Sequence, residues 1–119
     1  MIRILPESNG NVLGVQASAK LTDADYRTIW IPELERIINE HGTVRVLLYM
    51  DETFAGWEVN ALWDDAQFGL KHANEFDKIA IVGGPDWVAW SVKLLGNFIK
   101  GETRTFPSDQ LDQAWGWVK

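Results

Sequence analysis

The chain has no cysteine, two histidines, four prolines and no apolar run long enough to cross a membrane. Without thiols it forms no disulfide and does no thiolate chemistry, and nothing implies an oxidising compartment. A bilayer-spanning helix needs about 20 apolar residues. The greasiest stretch, "WVAWSVKLLGNFI" (87–99), is shorter and carries Lys93. The start, "MIRILPESNG", does not read as a signal peptide, because Pro6, Glu7 and Ser8 end its apolar run at once. Basic residues are also scarce: 11 Lys and Arg stand against 17 Asp and Glu, a net charge of −6. A nucleic-acid partner needs clustered Lys and Arg and is not expected. The same charge weakens simple attraction to anionic lipid. The expected location is cytoplasmic, with a peripheral place at the membrane left open.

What is present is enough for one core. Of 119 residues, 46% are apolar and 24% charged, which suits one folded domain spanning residues 1–119. "IRIL" and "NVLGVQAS" read as two strands around an Asn9-Gly10 turn. "LTDADYRTIWIPELERIINEHG" reads as a helix. Thr22 is its N-cap, Asp25 takes the capping-box position, Leu21 and Tyr26 suit a hydrophobic staple, and Gly42 is the C-cap. Tyr26, Trp30, Leu34, Ile37 and Ile38 recur at helical spacing, and Pro32 predicts a kink or a restart. "TVRVLLYM" is a central strand and "DETFAG" a loop. "WEVNALWDDAQFGLKHANEF" is a second long helix, "KIAIVGG" a strand, and the greasy stretch a third helix opened by Pro85 and Asp86. "ETRTF" is a last strand and "SDQLDQAWGWVK" a final helix capped by Ser108. The order ββαβαβαβα, with strands near 12–18, 44–50, 78–82 and 102–106, predicts an α/β fold. Its sheet is mixed but mostly parallel, with right-handed crossovers.

Two helices carry more aromatic surface than a core stripe needs. On the third, Val88, Val92, Leu95 and Ile99 can cover the sheet, while Trp87, Trp90, Leu94 and Phe98 form an adjoining edge. Together they span an arc of roughly 200°, against about 100° for a core-facing stripe. On the second helix, Val59, Leu62, Ala66, Leu70 and Ala73 form the expected core stripe, with Trp63 at its margin. Trp57, Ala61 and Phe68 lie on another face with Asp64, Asp65 and His72. Trp57 and Phe68 can then wall an apolar cleft with the third helix, or the loop "DETFAG" folds over them. Neighbouring helices equally can cover the edge of the third helix.

Chemistry is thinly provided. Asp64, Asp65 and His72 share a helix, and Asp51 and Glu52 end a central strand, but carboxylates on a helix face are usually just solvated. His41 sits before a C-cap glycine, where a positive imidazole favours the helix dipole. "WDD" is too sparse to ligate a metal. "GGP" lacks the lysine and spacing of a phosphate loop.

Several stretches carry a family resemblance: "LPESNGNVLGV", "KLTDADY", Pro32 to Glu35, "FAGWEVNALWDDAQFGLKH", "IAIVG", "DWVAW" and "GETRTF". They make the chain look like the SpoIIAA-like family, related to the STAS domains of anti-sigma-factor antagonists and sulfate transporters. The resemblance covers nearly the whole chain, and the middle block is its most specific part. It implies helices packed on a mixed sheet, no known catalysis and no cofactor. It also implies membrane association or binding of a non-polar ligand, with aromatic helices able to open and close. The phosphorylated antagonists carry a serine, usually after an aspartate, where this chain reads "DETFAGWEV". Here there is no serine, and Thr53 precedes the presumed helix.

The resulting expectation is a non-enzymatic STAS-like module without a cofactor or metal. It binds a membrane surface, a lipid or an apolar small molecule through Trp57, Phe68, Trp87, Trp90, Leu94 and Phe98. The alternative is a regulatory module that binds a protein partner and is not switched by serine phosphorylation.

Overall fold

The computed structural model describes residues 1–95 and 99–119. Its main sheet has five strands. They are β1 (Ile2–Ile4), β2 (Val12–Ala17), β4 (Val44–Met50), β6 (Phe76–Gly83) and β7 (Glu102–Phe106), side by side in chain order. β1 runs antiparallel to β2, and every other pairing is parallel. The four strands predicted from apolar run lengths are all present. Two further strands of two residues each, β3 (Lys20–Leu21) and β5 (Gly56–Trp57), pair with one another outside the main sheet. β5 falls inside the predicted loop and second helix, so Trp57 precedes that helix.

Helices fill every interval between the parallel strands. Between β3 and β4 lie α1 (Asp23–Asp25), a π-helical turn (Tyr26–Trp30) and α2 (Ile31–His41). The capping box forms: Thr22 Oγ1 accepts from the Asp25 amide at 3.1 Å, and Asp25 Oδ2 accepts from the Thr22 amide at 2.9 Å. The π turn is how the helix meets Pro32. Proline cannot donate an i→i−4 bond, so the backbone widens over Tyr26–Trp30 and restarts with Pro32 in the first turn of α2. Gly42 ends α2 at φ 79°. Next come α3 (Val59–Lys71), α4 (Asp86–Leu95), a 3-10 turn (Ser108–Gln110) and α5 (Leu111–Val118). Ser108 was expected to cap the last helix, yet its hydroxyl makes no cap bond; the 3-10 turn bridges the entry instead.

The two faces of the sheet are divided between these helices. Leu13, Val15, Val46 and Ile81 share one core with Leu34 and Ile37 of α2, Phe68 of α3 and Val88 of α4. Val12, Leu47, Ala80 and Val82 share the other with Ala114, Trp115 and Val118 of α5. Gly14 belongs to the second face, where a Cβ would collide with the Trp115 ring. Glycine is there to admit the indole, not to turn the chain. We therefore predict that Gly14→Ala lowers stability by about 1–3 kcal/mol in chemical denaturation. The same change made in a Trp115→Phe background, where the ring is smaller, should cost clearly less.

Candidate functional site

The second long helix faces the opposite way from its predicted stripe. Val59 (82% exposed), Leu62, Trp63 (65%) and Leu70 (71%) point to solvent, and Ala66 is exposed too. The buried positions are Ala61 and Phe68. The predicted core stripe of α3 is thus mostly its outer face. Phe68, expected in a cleft wall, is 8% exposed and packs on His72 and Phe76 at centroid distances of 4.4 and 6.3 Å.

Polar contacts explain the orientation. Trp57 Nε1 donates to Tyr26 Oη at 2.9 Å, and that hydroxyl donates to Asp65 Oδ1 at 3.0 Å. Asp64 lies one residue before Asp65 and approaches Arg27, its Oδ1 at 4.0 Å, while Arg27 pairs with Asp23 at 2.9 Å. The nearby Asp23 carboxyl raises the pKa of Asp64, while Asp64 and Arg27 lower that of Asp23. The acidic face that sequence reading assigned to solvent is therefore turned toward the π turn and α1. A helix cannot direct Ala61, Asp64 and Phe68 inward, with Asp65 at the margin bonded to Tyr26, without directing Leu62, Trp63 and Leu70 outward.

On the third helix the aromatic edge, which neighbouring helices could have covered, is open. Val88 is buried and Val92 half-buried against the core, while Trp87 (50% exposed), Trp90 (65%) and Leu94 (53%) face outward. Trp87 meets Trp57 edge-on at 5.4 Å, and Trp57 meets Phe54 at 5.1 Å. Among the six predicted binding residues, the structure thus joins Trp57 to Trp87, exposes Trp90 and Leu94 on α4, and removes Phe68 to the core. Phe98 lies outside the described residues. Val59, Leu62, Trp63 and Leu70 are the exposed residues that sequence reading missed.

The residues considered for acid–base work do not meet. His72 stacks on Phe68, and its Nδ1 is buried without a hydrogen bond among the described residues, with Glu75 at 3.7 Å. No hydrogen bond or ion pair among the described residues joins His72 to Asp64 or Asp65. At the other end of the sheet, a cleft of about 610 Å³ opens beyond β4 and β6, between Tyr49, Glu52, Phe54, Pro85 and Asp109. Gly83 and Gly84 form its floor turn at φ 75° and 83°, where a side chain would strike Met50. That packing accounts for "GGP" without a phosphate.

Asp51 borders the same cleft. Burial would raise its carboxyl pKa, but hydrogen bonds from Ser18, Thr53 and Gln16 outweigh this and hold it well below the usual carboxylate range. Thr53 Oγ1 donates to Asp51 at 2.7 Å and accepts from the Ala19 amide at 3.1 Å.

The arrangement is that of a mixed, mostly parallel α/β module with helices on both faces of the sheet. The sequence model of the SpoIIAA-like family matches residues 12–119. The chain belongs to the SpoIIAA-like family. Among solved structures it resembles an uncharacterized protein with a SpoIIAA-like fold from Shewanella loihica PV-4. The two share 29% identity and a TM-score of 0.79, over 99% of this chain and 94% of that one. No curated protein matches the chain. No helix among the described residues is long and apolar enough to cross a membrane.

Two predictions follow from these contacts. Tyr26 is 2% exposed, and burial, reinforced by the Asp65 charge, raises its phenol well above the ordinary value. A raised folded pKa gives stability that is complete below the unfolded pKa, about 10, and lost as pH rises above it. Tyr26→Phe should therefore cost about 1–3 kcal/mol at neutral pH, by stranding the Trp57 N–H. It should also flatten the decline in denaturation midpoint above pH ~10.

For Thr53, a phosphate would break both hydroxyl bonds and face an ionised Asp51. We expect intact-mass spectra of protein from its native cells to show no phosphate on Thr53. Stoichiometric phosphate there, with altered partner binding, would overturn this.

Proposed function

We propose that the chain is a non-enzymatic regulatory module that docks a partner protein on the apolar face of α3 and α4. One observation carries the reading. Val59, Leu62, Trp63 and Leu70 on one helix, and Trp87, Trp90 and Leu94 on the next, are large, apolar and close to half exposed or more. Apolar surface of that extent is characteristic of an interaction site. Tryptophan suits it, because its ring is apolar and its N–H stays wet. SpoIIAA-like domains in general act through protein partners.

Each large side chain removed from water contributes roughly 1.5–3 kcal/mol. A Trp63→Ala, Trp90→Ala double variant should therefore bind a partner more than ~10-fold more weakly. The measurement is affinity capture from native cells, followed by titration of the captured protein. Circular dichroism should show the variant folded, because both rings are exposed. Equal capture by wild type and variant would remove the reading.

A second reading, favoured by the same exposed tryptophans, is a lipid surface or an apolar small molecule. It predicts a blue shift of tryptophan fluorescence with both neutral and anionic vesicles. With a net charge of −6, that shift rests on apolar area and survives high salt. Trp90→Ala should weaken it. In the protein-partner reading, vesicles leave the spectrum unchanged.

A further inference from the structure

We infer that the outer edge of β7 is a second docking site, which takes an extended acidic segment of a partner protein as an added strand. β7 closes one side of the five-stranded sheet and pairs only with β6. Among the described residues its outer backbone groups have no hydrogen-bond partner in a loop, turn or cap. A groove of about 470 Å³ runs between this edge and α4, lined by Ala89, Trp90, Val92, Lys93, Thr103 and Arg104.

Charge selects the occupant. The chain is strongly acidic, yet Lys93 lines this groove and Arg104 stands on the edge strand itself, its side chain on the α5 side, and neither makes an ion pair among the described residues. Register selects the pattern. Thr103 and Thr105 lie opposite Ile79 and Ile81, on the α4 side of the sheet. Glu102, Arg104 and Phe106 alternate onto the α5 side, where the Arg104 guanidinium lies 5.0 Å over the Phe106 ring. An added strand also alternates. Its residues on the α4 side meet Trp90 and Val92 and should be apolar; those on the other side meet Arg104 and should be acidic. Glu102 disfavours a carboxylate at its own end of the strand, so the acidic position falls toward Arg104. Main-chain hydrogen bonds supply affinity, and the side chains supply selection.

A second copy of the chain fits this edge poorly. Two β7 strands paired antiparallel about their centres would set Arg104 against Arg104, and like charges directly opposite destabilise a sheet. The site is independent of the α3 face, since only Trp90 belongs to both.

The test uses the full chain and two end-capped, fluorescein-labelled peptides, (Glu-Val)4 and (Lys-Val)4, read by fluorescence anisotropy. The Glu-Val peptide should bind saturably and more weakly as salt rises. Arg104→Glu should weaken it about 10-fold, a loss typical of one desolvated charged contact, and Lys93→Glu, on the face opposite the peptide carboxylates, clearly less. Combined, they should shift preference to (Lys-Val)4. Trp63→Ala should leave peptide binding unchanged, so failure of the α3–α4 reading and failure of this one are separable. Hydrogen exchange at saturation should slow in residues 102–106. No saturable binding of (Glu-Val)4, equal binding of both peptides, protection elsewhere than β7, or sedimentation showing a dimer that Arg104→Glu dissolves would each overturn the proposal.

Discussion

The strand order constrains everything else. Four parallel strands laid side by side in chain order, joined by right-handed crossovers, send every connecting helix to the same face of the sheet. α2, α3 and α4 are crowded there, and α5 alone covers the other face. Three helices on one side of a narrow sheet compete for apolar contact. α2 lies across β4 with Leu34 and Ile37 fully buried. α3 and α4 commit few large side chains to the core and keep the rest outside.

That competition is decided at Tyr26. Its ring is buried in the core, and its hydroxyl bonds to both Trp57 and Asp65. The π turn forced by Pro32 brings Tyr26 there. Burying a phenol without partners is costly, so the side of α3 that satisfies it must face inward. Asp64 thereby turns toward the domain, Asp65 reaches the Tyr26 hydroxyl from the margin, and Trp63 and Leu70 face water. An apparently inverted helix follows from satisfying one hydroxyl.

The outer surface then offers two different chemistries. The α3 and outer α4 residues present apolar area with little fixed charge, suited to a partner held by desolvation and tolerant of salt. The β7 edge presents backbone hydrogen-bonding groups beside Lys93 and Arg104, suited to an extended acidic chain and sensitive to salt. Trp90 is the one residue the two surfaces share, and they are otherwise separate.

By itself, the sequence determined the elements and their order. Apolar run lengths marked β2, β4, β6 and β7, and Thr22, Asp25 and Gly42 marked the ends of the first helical segment. These signals are local, carried by residues within a few positions of one another. On α4 the spacing separated Val88 and Val92 from Trp87, Trp90 and Leu94 but left open whether neighbours cover the second group; the structure leaves it exposed. The facing of α3 was not legible. Val59, Leu62 and Leu70 make one plausible stripe and Ala61 with Phe68 another, and periodicity cannot rank them. The choice depends on Tyr26, which lies 39 positions from Asp65 and 31 from Trp57. Nothing local to β2 marks the need for glycine at position 14, because the Trp115 ring that requires it comes from α5. Ser108 read as a cap until the chain entered α5 through a 3-10 turn. In each case the deciding partner is distant in sequence. Only the tertiary structure settles which apolar face is spent on the core and which is left for a partner.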